Sequence, residues 1–147
     1  EALFGGGFPS SGYVKNFYKS EAIRTGEFPA GSTTPARTIT IVVNMNAYRG
    51  ACVKINTSGH LWNNGSAFYN RVNEIYLASE GTASRINSRV DILAAGSQIG
   101  QIGVPSASIS ATNQFSITQT VGAGYTANVF VEVTGMGYSS MGSISIA

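Results

Sequence analysis

From Thr38 onward, apolar and polar residues alternate with a period of two in one short segment after another. That period commits a chain to strands, because successive side chains on a strand point to opposite faces. In TITIVVNM the apolar face is Ile39, Ile41 and Val43. In GACVKINT, Ala51, Val53 and Ile55 oppose Cys52, Lys54 and Asn56. RVNEIYLAS sets Asn73, Ile75 and Leu77 against Val72, Glu74 and Tyr76, and ANVFVEV carries a Val129, Val131, Val133 stripe. SASISAT, FSITQTV and GSISIA continue the pattern. SRINSRVDILAAG alternates less cleanly, with Ile86, Val90, Ile92 and Leu93 as its apolar members. Turn residues separate the segments at roughly 8–12-residue spacing, the signature of an all-β antiparallel β-sandwich or jelly roll. No long amphipathic helix interrupts the series, which argues against a parallel α/β sheet.

The first 37 residues read differently. LFGGGFPSSG is loop chemistry, and EFPAGSTTPAR is an extended linker held out of regular structure by Pro29 and Pro35. Between them, Val14, Phe17, Tyr18 and Ala22 fall at helical spacing with Gly26 beyond, while VKNFY suits a strand; both readings stay open. The expected organisation is an extended N-terminal arm over residues 1–37 and a β-sandwich over 38–147. An arm gains contacts by lying across a neighbour, and Phe4, Phe8, Tyr13, Phe17, Tyr18 and Phe28 would supply them.

Charged residues make up 11% of the 147-residue chain, against about 25% in an ordinary soluble domain. After Asp91 the only charged side chain is Glu132. Few charges oppose association, so burial between subunits or a hydroxyl- and amide-rich exterior is required. A net charge of +2 with no basic run gives no footprint for nucleic acid. No apolar run approaches bilayer length and no signal-peptide pattern is present, so membrane insertion is not expected. The chain starts at Glu1 without a Met, which reads as processing, trimming or a fragment.

Chemistry is scarce. There is one His, one Cys and one Asp, and no G-x-S-x-G elbow. Cys52, in an alternating apolar segment, reads as a buried inert thiol, with a Cys52–His60 nucleophile pair as the catalytic alternative. One His and one Cys do not make a zinc site, and the glycines of FGGGFPSSG lack a phosphate-binding lysine. No catalytic residue, metal or cofactor is expected.

Binding is better represented, in GHLWNNGSAFYN (residues 59–70), which holds the only His and the only Trp. Asn64-Gly65 suits a two-residue type I′ hairpin turn. In that register Leu61 faces Phe68 and His60 faces Tyr69. Leu61 and Phe68 would point to the core, while His60, Trp62 and Tyr69 would form an aromatic face with polar tips. Such a face suits a sugar ring or receptor, or packs on a second sheet or neighbouring subunit. A one-residue slip would exchange the two sets.

The opening ALFGGG and the segment NQFSITQTVGAGYTANVFVEVTG (113–135) resemble tailed-bacteriophage virion structural proteins, namely fibre tips and capsid decoration proteins. The resemblance covers about a third of the chain through Gly, Thr and Val patterns. It implies a virion part, commonly a homotrimer that contacts other virion proteins and, at a fibre tip, a host surface glycan or receptor. The expectation is a non-enzymatic domain of a fibre or receptor-binding spike, with a capsid decoration protein and a lectin-like carbohydrate-binding module as alternatives.

Overall fold

The computed structural model describes residues 18–45, 48–80, 83–137 and 142–147. Nine strands build it: β1 (Tyr18–Phe28), β2 (Arg37–Asn44), β3 (Tyr48–Leu61), β4 (Asn64–Glu80), β5 (Ala83–Ala95), β6 (Ser106–Ala111), β7 (Gln114–Val121), β8 (Ala127–Gly137) and β9 (Ser143–Ile146). They form a five-stranded sheet ordered β1-β8-β3-β4-β5 and a four-stranded sheet ordered β6-β7-β2-β9. All the pairings are antiparallel. This is the all-β sandwich that the alternation requires.

The core lies between the inward rows. From the five-stranded sheet come Val53 and Ile55 of β3, Ile75 and Leu77 of β4, and Val129, Val131 and Val133 of β8. From the four-stranded sheet come Ile39, Ile41 and Val43 of β2 and Phe115 and Ile117 of β7. The odd-numbered residues from 39 to 43 in β2, 51 to 59 in β3 and 127 to 135 in β8 are buried because a pleated strand presents every second side chain to the same face. The imperfect alternation of β5 also has a cause. Its register against β4 shifts at two places, leaving Asn87 and Ile92 as extra residues, so the face presented changes partway along the strand.

Part of the interior is polar. Thr57 donates to Gln119 Oε1 at 2.8 Å, and Gln119 Nε2 donates to Gly103 O at 3.0 Å. This relay joins β3 to β7 across the sandwich and satisfies both buried side chains. Nearer β5, Arg71 pairs with Asp91 at 2.9 Å, and Asn73 Nδ2 donates to the other Asp91 oxygen at 3.0 Å.

The N-terminal reading needs correction. Residues 18–28, grouped with the arm on sequence, form β1 at the edge of the five-stranded sheet, so the helix alternative fails over this stretch. Pairing with β8 satisfies the backbone groups on the inner side of that edge, and the register shifts at a bulge between Glu21 and Arg24. Phe28 packs, half-buried, against the core. Phe4, Phe8, Tyr13 and Phe17 lie outside the described residues, as does the side chain of Tyr18.

Because Ile41 is fully buried and Thr118 lies on the outer face of the same sheet, the two sites should respond differently. Ile41→Ala is expected to cost about 2–5 kcal/mol and Thr118→Ala under about 1 kcal/mol. Urea unfolding of the two variants measures the difference.

Candidate contact surfaces

The β3–β4 hairpin does not turn at Asn64-Gly65. Leu61 pairs with Asn64, so Trp62 and Asn63 form the link, and Asn64 Oδ1 accepts from Ser66 N at 3.0 Å. The register then shifts, placing Phe68 opposite His60 and Tyr69 opposite Gly59. Relative to the expected pairing this is a slip of one residue.

The slip reverses two assignments. Tyr69, expected on the aromatic face, is 1% exposed in the core, and Phe68, expected in the core, is 47% exposed. The physical reason lies at Gly59. A Cβ there would come within 2.0 Å of Thr126 O and 2.5 Å of the Tyr69 hydroxyl. Glycine alone lets Tyr69 pass beneath the hairpin and donate its O–H to Thr126 O at 2.6 Å. Its ring lies 6.4 Å from that of Tyr125, tilted by 50°. Burying a tyrosine ring with its hydroxyl satisfied outweighs the local preference of Asn-Gly for the turn. Burial also holds the Tyr69 phenol un-ionised, pushing its pKa from 10 up to about 12 against the opposing field of Arg37.

Trp62, 42% exposed at the turn, has its backbone N–H donating to Gly124 O at 2.9 Å. His60 Nδ1 donates to Leu61 O at 2.7 Å, so in the neutral ring Nε2 is the acceptor. The outward aromatic set at this end is therefore His60, Trp62 and Phe68. His60 and Trp62 keep their expected side, whereas Tyr69 supports them from inside.

Cys52 faces outward with Lys54 and Asn56 and is half-buried, not sealed in the core. Burial, then the Glu74 carboxylate, raises its thiol pKa, which keeps it protonated and a poor nucleophile. It stands eight residues from His60 along one strand, about 26 Å at an ordinary strand rise, so the two cannot act as a pair. Among the described residues no group of three His, Cys, Asp or Glu could hold a metal ion. No helix among them is long and apolar enough to cross a membrane.

A second surface lies at β5, which sequence reading treated only as an irregular strand. Val90, Ile92 and Leu93 are 43%, 50% and 41% exposed on this edge strand. Val90 and Leu93 lie opposite the outward Glu74 and Val72, and Ile92 is the bulged residue between them. The bulge displays consecutive apolar side chains where a regular strand would turn one inward.

No protein-family model matches the chain, and no curated protein does. Its structure is similar to three solved tailspikes. The tailspike gp49 of Acinetobacter baumannii bacteriophage Fri1, a capsular polysaccharide depolymerase, superposes with a TM-score of 0.47 at 12% identity, over 88% of this chain and 19% of that one. The tailspike of Acinetobacter phage vB_ApiP_P1 gives 0.37 at 15% identity, over 95% and 25%. That of Acinetobacter baumannii phage AM24 gives 0.35 at 12% identity, over 88% and 28%. The chain thus spans between about a fifth and a little over a quarter of each tailspike.

The register makes a sharp stability test. Gly59→Ala is expected to destabilise by more than about 3 kcal/mol and Tyr69→Phe by about 1 kcal/mol. Phe68→Ser should stay within about 1 kcal/mol; a large loss there would restore the unslipped pairing. The raised phenol pKa has its own consequence. Between pH 10 and 12 the native state keeps the Tyr69 proton that the unfolded chain releases, so stability falls with rising pH across that window. Denaturation midpoints of wild type and Tyr69→Phe measured at pH 9 to 12 (test conditions) should converge toward the alkaline end.

Proposed function

We propose that this chain is the β-sandwich domain of a virion fibre or spike, non-enzymatic in itself and working as an assembly of copies, with a homotrimer as the expected state. The observation that carries the reading is the exposed apolar run Val90, Ile92 and Leu93 on the β5 edge. A long edge strand with uncovered apolar side chains invites pairing or packing, and the charge inside this run, Asp91, is already paired with Arg71. Half-exposed as they stand, these side chains would each gain about 1 kcal/mol on full burial. Ile109 on β6, 48% exposed, lies on the strand that neighbours β5 in the other sheet and would extend the contact.

Residues 113–135, which resemble fibre-tip domains, span β7, the 122–126 connection and most of β8, and so supply one central strand to each sheet. A virion location follows from the reading, as do other virion proteins as partners.

Sedimentation velocity of the purified chain tests it. A trimer is expected, and Ile92→Asp with Leu93→Asp is expected to release monomers that retain the wild-type β-sheet circular dichroism. A wild-type chain that stays monomeric at all accessible concentrations would sink the reading. An oligomer indifferent to the double substitution would move the interface away from β5.

A further inference from the structure

On the β5 edge, burial and register pull in opposite directions. Val90 and Ile92 are 43% and 50% exposed, yet a shift of one residue would hide both. Leu93 lies opposite Val72 and Asp91 opposite Asn73, with Ile92 bulged between them. If the pairing of Leu93 continued without the bulge, Ile92 would lie opposite Asn73, Asp91 opposite Glu74 and Val90 opposite Ile75. Asn73 and Ile75 are buried, so Ile92 and Val90 would turn inward beside them. The slip would be local, because the surplus residue would only move along to the break already present at Asn87.

Apolar burial alone therefore favours the slipped strand. Asp91 opposes it. In the bulged register its carboxylate lies on the inner side, where Arg71 Nη1 donates to one oxygen at 2.9 Å and Asn73 Nδ2 to the other at 3.0 Å. Arg71 is 8% exposed, whereas the Asp91 side chain is 41% exposed at the rim. The guanidinium is thus the member of the pair that cannot turn to water. In the slipped register Asp91 would face the Glu74 carboxylate, and Arg71 would stay buried without its counter-charge. Stranding a buried guanidinium costs more than two half-exposed side chains gain.

We propose that Asp91 is the positioning residue of the β5 contact edge. Held inside by Arg71 and Asn73, it maintains the bulge at Ile92 and so keeps Val90 and Ile92 turned outward, where a second copy packs on them. The role rests on the assembly reading for its partner, though not for its register.

Two variants of the intact chain test it. Asp91→Asn removes the charge that distinguishes the two registers, so Arg71 is uncompensated in both and burial decides. Arg71→Leu combined with Asp91→Asn also removes the stranded cation, which keeps the test open should the single variant unfold. In the isotope-labelled wild type, cross-strand NOEs are expected between Asn73 and Asp91 and between Glu74 and Val90. In the variants they should give way to NOEs from Asn73 to Ile92 and from Ile75 to Val90. Sedimentation velocity should show self-association weakened by about tenfold or more, with the wild-type β-sheet circular dichroism kept. Retention of the wild-type NOEs in the folded double variant overturns the proposal, since an ion pair that only adds stability would leave the register in place. So does a slipped register that leaves association at wild-type strength. A wild type that is itself monomeric overturns the contact role together with the assembly reading, and the NOE exchange then decides the register on its own.

Discussion

The contact between the inward rows of β3 and β8 and those of β2 and β7 governs the rest of the structure. On β3 and β8 the alternative face carries Lys54 and Glu132, and Glu74 sits beside them on β4. Slipping either strand by one residue would turn those charges into the sandwich and expel Val53, Ile55, Val129 and Val131. Burying one unpaired charge costs several kcal/mol, a large fraction of the net stability of a domain this size. The register is thus held twice, by what it buries and by what the wrong choice would bury.

The same reasoning marks where sequence reading succeeds. The apolar stripes of β2, β3 and β8 were legible because Thr38 and Thr40, Lys54 and Asn56, and Asn128 and Glu132 stand on their alternate faces, and the structure buries the stripes as expected. The hairpin at residues 59–70 was not legible to the residue. There both faces carry aromatic side chains, so alternation cannot choose between them. The choice falls to a close approach that no local pattern encodes, in which Thr126, far along the chain, meets Gly59 and the Tyr69 hydroxyl. β1 escaped for a related reason: its bulge breaks the period, and its partner β8 is remote in sequence.

The polar interior adds specificity to a core that apolar contact alone would allow to slide. Thr57, Gln119 and the Gly103 carbonyl form a relay whose members are useful only in one relative position of the two sheets. Arg71, Asn73 and Asp91 do the same for β5, the strand whose bulges leave its register least determined by alternation. The neutral bonds of the Thr57–Gln119 relay contribute about 1 kcal/mol each when made. Their larger effect is the penalty on arrangements that leave buried donors and acceptors unpaired.

The scarcity of charge, which first suggested burial between subunits, has a more local explanation over much of the surface. The outward positions of the four-stranded sheet include Ser106 and Ser108 on β6, Thr118 and Thr120 on β7, Thr38 on β2, and Ser143 and Ser145 on β9, all exposed. In register, Ser106 lies opposite Thr118, and Thr120 opposite Thr38. A carpet of hydroxyls hydrates this face without charge, so low charge there does not by itself call for a partner. What still calls for one is the β5 edge, where Val90, Ile92 and Leu93 have no hydroxyl in their place. The case for assembly is consequently a case about one strand and not about the composition of the whole chain. That localisation lets the proposed assembly be tested by charging two residues of β5, without touching the buried rows that keep the domain folded.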